Sequence, residues 1–391
     1  MPYKVYLKKG EEKRVLAGHS WVYANEAAKI EGKDGNGSLA EVYAADGRFI
    51  GKGYINHLSK ILVRIFIRGS EEDGPLLWRE RIAAAYQTRK KLFSESEHNC
   101  YRLLFAEADD MPALIIDRYG DYFVLQCLSL GVDKRKEWAA EALAGLFSPK
   151  GIYMRGDVAV RQKEGLPLEN AVLYGNIPDK IIVRENGLAM SVDVKNGQKT
   201  GYFLDQKENR FAVRRYCRDA EVLDCFCNSG GFSVNAATAA KSVTAVDISQ
   251  FALDNVAENA RLNGFENIVT IRADVFDALR AFRAAGRFFD TVILDPPAFC
   301  KSAAEVKDAY RGYRDINLTA MKIVRPGGFL VSCSCSHYMT APLFEKMLAE
   351  SARLAGKRAK VLEVRVQAPD HPALLAAEET SYLKVFVLEI K

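Results

Sequence analysis

At 391 residues the chain exceeds what one compact core usually holds, so two or three domains are expected. Hydrophobic residues at 49% and charged residues at 27% are ordinary for a soluble globular protein. No apolar run approaches the roughly eighteen residues of a membrane span, and the opening Met1-Pro2-Tyr3-Lys4 lacks a signal-peptide core. The eight cysteines have no regular spacing, so reduced thiols, a cytoplasmic location and no membrane partner are expected. Net charge is +5, and residues 1–70 carry twelve Lys/Arg against seven Asp/Glu while the rest of the chain balances. That end would face a polyanion, unless it is simply a mildly basic solvated surface.

Residues 1 to about 70 read as a small β region. Ile61-Leu62-Val63-Arg64-Ile65-Phe66-Ile67-Arg68 is strand-like, and glycines punctuate shorter strands before it. From 75 to about 185 the pattern is mixed. A helix covers 76–93, a hairpin covers 113–126 with its turn at Gly120-Asp121, a second helix covers 133–147, and a strand covers 151–155. From about 190 strands and helices alternate. Strands are expected at 221–225, 242–247, 268–272, 289–294, 329–333, 359–366 and 383–390. One helix begins near Gly231, and Ser249 caps another that stops at Gly264. Such alternation implies a parallel, doubly wound sheet, with its last strand as the candidate for antiparallel pairing.

The strand 221–225 leads into Asp224-Cys225-Phe226-Cys227-Asn228-Ser229-Gly230-Gly231. Glycine there lets backbone approach a ligand, but the run is not the GxGxxG of dinucleotide binders. Asp247 closes the second strand, where an acid suits a ribose diol. Asp274 follows the third strand and Asp295 the fourth. Each acid alone reads as a cap or turn residue. As a set they repel a phosphate-rich cofactor and suit a sulfonium cation carrying adenosine, S-adenosylmethionine. Leu294-Asp295-Pro296-Pro297-Ala298-Phe299 leaves the sheet on a fixed extended path, because two prolines cannot continue a ladder. Its carboxylate and ring could hold and stack a nucleobase beyond the strand end.

The last 200 residues resemble a class I S-adenosylmethionine methyltransferase. The whole chain resembles the bacterial large-subunit rRNA methyltransferase I family, which methylates C5 of a cytosine in 23S rRNA. The matching blocks are 18–22 (GHSWV), 107–112 (EADDMP), 116–120 (IDRYG), 160–165 (VRQKEG), 197–206 (GQKTGYFLDQ) and 311–313 (RGY). The resemblance implies an α/β protein of three parts: a PUA RNA-binding domain over 1–72, a central α+β domain over 73–188, and a Rossmann-like methyltransferase domain over 189–391. By position, Lys199, Thr200, Phe203, Asp224, Gly230, Asp247, Asp274 and Asp295 would bind the cofactor, and Gln206 and Arg210 would close its pocket. The implied partner is 23S rRNA or a large-subunit precursor, and the family allows a homodimer.

C5 of cytosine is a poor nucleophile until a thiolate adds to C6. Alignment of the Ser-Cys-Ser triplet with the family puts that thiol at Cys335, with Asp295 and Phe299 as its catalytic companions. A small buried thiol would look the same in sequence. Cys333 is either a core residue or an auxiliary thiol. Many other RNA cytosine-C5 methyltransferases place a second cysteine where this chain has Ala298, so the acceptor of the C5 proton is unassigned. The pairs Cys225/Cys227 and Cys333/Cys335 are spaced too closely for structural zinc, and no metal is expected. Trp21 reads equally as an RNA-stacking or a core residue. Two rival functions remain at this point: a guanine N7 or N2 methyltransferase on the same scaffold, and a non-catalytic RNA-binding assembly factor.

Overall fold

The computed structural model describes residues 3–33 and 35–391; Met1 and Pro2 of the opening segment and position 34 lie outside the described residues. Packing divides the chain into two compact units. The first comprises Met1–Arg184, Val192–Leu204 and Pro369–Thr380, the second Glu185–Ser191, Asp205–Ala368 and Ser381–Lys391.

The first unit contains two sheets. Strands β1 (Tyr3–Leu7), β2 (Trp21–Tyr23), β3 (Ala27–Glu31), β4 (Leu39–Tyr43), β5 (Phe49–Ile55) and β6 (Ile61–Ile67) form a six-stranded sheet ordered β2-β6-β5-β4-β1-β3. The sequence reads this region as all-β, but a short helix α1 (Glu12–Leu16) interrupts it and plugs Val15 into the core. A side chain at Gly53 would meet the Arg64 carbonyl at 2.1 Å, so glycine is what lets β5 and β6 pair there. The second sheet is β7 (Cys100–Phe105), β8 (Leu114–Tyr119), β9 (Tyr122–Cys127), β10 (Gly151–Met154) and β11 (Ala171–Gly175), ordered β11-β10-β9-β8-β7. Helix α2 (Pro75–Leu92) buries Trp78, Ile82 and Ala85 against it, and the expected 133–147 helix is split into α3 (Leu130–Asp133) and α4 (Lys136–Phe147). The expected hairpin turns at Gly120, whose φ of +62° suits glycine. A two-stranded hairpin, β12 (Ile181–Glu185) and β13 (Leu188–Val192), precedes the rest.

The second unit is a seven-stranded sheet. Its strands are β14 (Glu221–Cys225), β15 (Ser242–Asp247), β16 (Ile268–Arg272), β17 (Phe289–Leu294), β18 (Val324–Ser334), β19 (Ala359–Arg365) and β20 (Lys384–Ile390), in the order β16-β15-β14-β17-β18-β20-β19. The first five are parallel, and β20 runs antiparallel to both β18 and β19. β18 begins five residues before the expected 329 because the Pro326-Gly327-Gly328 stretch is absorbed as an irregularity opposite Phe289–Thr291. Helices α5 (Lys207–Val213), α6 (Gly231–Ala237), α7 (Gln250–Leu262), α8 (Val275–Ala284), α9 (Val306–Ile323) and α10 (Ala341–Ala355) complete it. One apolar layer holds Phe289, Tyr313, Ile316, Met321 and Phe344, and another holds Val222, Phe232, Val331 and Val385. With cores on two sides, the strands are nearly continuous apolar runs, as parallel strands should be. Strand order reverses between β14 and β17, and in such sheets ligands bind outside the carboxyl ends at that reversal.

Candidate active site

The carboxyl edge of β14 carries Asp224, fully buried inside the strand. Its Oδ2 accepts the Ser233 hydroxyl at 2.5 Å, and its Oδ1 has no hydrogen-bond partner. Burial pushes this carboxyl up to about 7; the nearby Asp295 and Asp247 push the same way and the Ser233 hydrogen bond opposes them. The chain then turns sharply: Phe226 and Asn228 have φ of +61° and +47°, and Gly230 has +81°. Two non-glycine residues in that region within three positions mark a strained loop. Asp247 holds it, its Oδ2 accepting the Asn228 amide at 3.0 Å and its Oδ1 the Ser249 amide at 2.9 Å. Gly230 itself caps α6, and a Cβ there would press on Val256 at 3.1 Å.

The four acids do not share one environment. Asp224 is buried, Asp247 and Asp295 are half-buried, and Asp274 is exposed. Asp274 caps α8, its Oδ1 accepting the Phe276 and Asp277 amides at 2.8 and 3.3 Å. It fills the capping role that the residue type allows.

Asp295 leaves β17 and is tied back by its amide to the Cys225 carbonyl at 3.4 Å. The Gln206 amide nitrogen donates to Asp295 Oδ1 at 2.9 Å. Gln206 is oriented in turn: its Oε1 accepts from Asn209 at 2.7 Å, and Asn209 Oδ1 accepts from Arg365 Nε at 3.0 Å. A guanidinium can only donate, so this chain fixes which end of each amide points where. Arg210, expected beside Gln206 at the pocket, instead forms a buried two-point pair with Glu185 at 2.7 Å.

Phe299 is half-buried in an aromatic group, 4.7 Å from Tyr313 and about 6 Å from both Phe276 (6.1 Å) and Phe226 (6.4 Å), centroid to centroid. Gly312 makes room for it, since a Cβ there would stand 3.3 Å from the ring. Tyr313 also reaches the next strand end: its hydroxyl accepts from Ser334 Oγ at 3.0 Å and bonds Ser336 Oγ at 3.0 Å. Ser336 Oγ additionally accepts the Cys300 amide at 3.2 Å. The loop 295–300 and the end of β18 are thereby stitched together, and Cys335 sits between the two anchored serines. Seven of the eight cysteines are buried and Cys335 is the half-buried one. Cys333 is a fully buried core residue, with burial pushing its thiol well up. Cys300 is buried with its thiol directed to the Ser302 carbonyl at 3.1 Å.

Lys199, Thr200 and Phe203 belong to the first unit. Lys199, at φ +53°, sets its ammonium 4.7 Å over the Phe203 ring. Thr200 is buried; its hydroxyl donates to Asp117 at 2.6 Å and lies 3.0 Å from the Tyr119 hydroxyl. Arg102 grips the same Asp117 through two bonds of 2.8 and 2.9 Å. Arg155 donates to the Val194 and Gly197 carbonyls, both at 2.9 Å. The block 197–206 therefore starts from a segment fastened to the second sheet. Other blocks act likewise: Trp21, half-buried, donates its indole N–H to Glu107 at 2.8 Å, and buried Glu164 accepts from Arg64 at 2.8 Å and Asn56 at 2.9 Å. His371 is buried beside Asp370 at 3.0 Å, and His337 is exposed. Among the described residues no group of three His, Cys, Asp or Glu is placed to hold a metal, and no helix is long and apolar enough to cross a membrane.

Sequence reasoning passed over Asn209 and Arg365, which orient Gln206, and gave Tyr313 no role beyond the Arg-Gly-Tyr block. The block itself was a usable signal for Tyr313; nothing in sequence ties 365 to 209. The buried, half-partnered Asp224 beside a strained loop fits a cationic nucleoside ligand such as S-adenosylmethionine, and Asp247 keeps lone pairs for a diol.

Comparison with known proteins agrees with this geometry. Residues 5–68 match the model of a PUA-like domain, and residues 152–386 match that of the S-adenosylmethionine-dependent methyltransferases. Proteins named Ribosomal RNA large subunit methyltransferase I from Aeromonas salmonicida and from Vibrio cholerae are each 41% identical over 392 residues, covering 99% of both chains. A SAM-dependent methyltransferase from Streptococcus mutans shares the fold at a TM-score of 0.84 and 21% identity, and a methyltransferase solved with SAH does so at 0.86 and 21%, each over 100% of both chains. A chain that carries this sheet, this row of strand-end acids and these relatives is an S-adenosylmethionine-dependent methyltransferase and belongs to the ribosomal RNA large subunit methyltransferase I family.

Proposed function

We propose that the protein methylates C5 of a cytosine in 23S rRNA through a covalent adduct between Cys335 and C6 of the base. The observation that supports it best is the setting of Cys335: the one half-buried thiol of eight, held at a strand end between two serines that Tyr313 anchors. A thiol needed only for packing would be expected to be buried, as Cys333 is.

In this reading Asp224, Gly230, Asp247, Asp274 and Asp295 bind the cofactor within the second unit. Lys199, Thr200 and Phe203 are assigned to it on the resemblance alone. S-adenosylmethionine supplies an electrophilic methyl group. Cys335, as thiolate, adds to C6 and makes C5 enamine-like. Asp295, oriented by Gln206, accepts hydrogen bonds from the base edge, and Phe299 offers a face for stacking. After methylation a base removes the C5 proton, the C–S bond breaks, and the thiolate is released. The target must leave its stack, so a loosely paired RNA segment is the cheapest substrate.

The three-part division belongs to the same proposal: 1–72 as the RNA-binding PUA domain, 73–188 as the central domain and 189–391 as the catalytic domain. So do 23S rRNA or a large-subunit precursor as partner, a cytoplasmic place of action, and the homodimer that the resemblance allows. The test is single-turnover methylation of 23S rRNA from cells lacking this protein, with nucleoside mass spectrometry, comparing wild type with Cys335→Ala. 5-Methylcytidine from wild type alone is expected. Methylguanosine from both proteins would move the activity to the guanine branch and return Cys335 to the core.

A further inference from the structure

Strand β20 delivers a lysine to the end of β18. In the antiparallel register Lys384 pairs with Ser334, one residue before Cys335. Its side chain is buried, with 8% of the residue exposed, and its ammonium donates to the Ser336 carbonyl at 2.6 Å and the Tyr382 carbonyl at 2.8 Å. One of those carbonyls belongs to the residue that follows Cys335. Two donors of three are thus engaged by neutral oxygens, and no carboxylate within 4 Å pairs with this ammonium among the described ion pairs. Burying an ammonium without a counter-charge is costly, and simple packing would be served better by an apolar residue.

The surrounding groups sharpen the point. Charges at this strand end act on one another: Asp295 and Asp224 bear on Cys333, and Cys335 bears on Cys333, Tyr313 and Lys384. Tyr382, next to the lysine, spends its hydroxyl on Asp205 at 2.7 Å. A carboxylate near a thiol resists thiolate formation and an ammonium near it favours it. Burial pulls the lysine down to about 8, and Cys335 pulls it back up.

Resting on the reading of Cys335 as nucleophile, we infer that Lys384 is a positioning residue for it: its buried ammonium holds Cys335 as thiolate for attack and again as leaving group. The step balances. The thiol proton goes to solvent or to neutral Lys384, the thiolate electron pair forms the S–C6 bond, and on elimination that pair returns to sulfur beside the ammonium.

The test uses the full chain as wild type, Lys384→Met and Lys384→Arg. Cys335 is alkylated with iodoacetamide from pH 5.5 to 9.5 and followed by peptide mass spectrometry, which the burial of the other cysteines makes selective. Lys384→Met is expected to move the alkylation midpoint up by about one unit and slow labelling at pH 7 about tenfold, while Arg retains most of the wild-type behaviour. The methylation rate of the Met variant should recover toward high pH, whereas a merely structural lesion would lower it equally at every pH. An unshifted midpoint in a folded Met variant would overturn the inference. The parallel Cys335→Ala methylation assay separates the two failures. Product that persists without Cys335 removes the nucleophile reading, and the inference with it. Product that needs Cys335, alongside an unshifted midpoint, removes only the lysine's role.

Discussion

The carboxyl edge of the seven-stranded sheet and the seams of the first unit are both rich in buried polar residues, yet they spend them differently. At the sheet edge a polar atom is left over: Asp224 Oδ1 has no partner, and Asp295 and Asp247 sit close enough to add to the burial that raises the Asp224 carboxyl. In the first unit two groups close on themselves, Arg102–Asp117–Thr200–Tyr119 and Asn56–Glu164–Arg64, while buried Ser129 Oγ and Arg161 Nη2 are left over there as well. Leftover polar capacity is what a ligand can use, and a closed network is what fixes a shape.

The strongest break would come at Cys335. Cys335→Ala should cut methylation by about a thousandfold or more and leave cofactor affinity, read by calorimetry, nearly unchanged. Next is the closed network. Asp117→Asn strips the charge that Arg102 pairs with and should cost about 3–5 kcal/mol in denaturant unfolding, because it strands a buried guanidinium. The opposite sign is expected at the sheet edge. Asp224 has a folded value of about 7 against an unfolded one near the ordinary carboxylate value. The folded state therefore binds the extra proton, and stability falls as pH rises through that window. Asp224→Asn, without cofactor, should be more heat-stable than wild type at pH 8 by on the order of a few kcal/mol, with the gap closing toward pH 4. The same variant should bind S-adenosylmethionine more weakly.

Smaller effects sharpen the contrast. Asn209→Leu releases the Gln206 amide that points at Asp295 and should lower the methylation rate about tenfold to a hundredfold, at a stability cost of about 1–3 kcal/mol for the Gln206 and Arg365 groups it leaves unsatisfied. Trp21→Phe removes the indole bond to Glu107 and should cost about 1 kcal/mol of stability. RNA affinity unchanged in a filter-binding assay would identify Trp21 as a seam residue, and a large loss would return it to the RNA surface.

Legibility in the sequence follows the same divide. The strands β14 to β17 and the cap Ser249 were readable because period, length and capping chemistry are local, and the same chemistry gave capping as the plain alternative for Asp274. The antiparallel pairing of β20 was anticipated, but its consequence was not: only the register of β18 with β20 sets Lys384 opposite Ser334, where its ammonium reaches the Ser336 carbonyl. The Arg365–Asn209–Gln206 chain joins residues about 160 positions apart, and no local pattern encodes that. Helix α1 was missed because five residues are too few to show a helical period. Trp21 and Glu164 were visible as blocks, but a block does not say whether its polar atoms are satisfied internally.

The most direct test of the covalent route is trapping. An rRNA fragment containing 5-fluorocytidine, which has no C5 proton to lose, is incubated with the protein and S-adenosylmethionine and resolved on a denaturing gel. The account predicts a protein–RNA band whose peptide map places the crosslink on Cys335, absent in Cys335→Ala. A wild-type enzyme that methylates unmodified rRNA yet traps no fluorinated RNA, or traps it equally in the alanine variant, would contradict it.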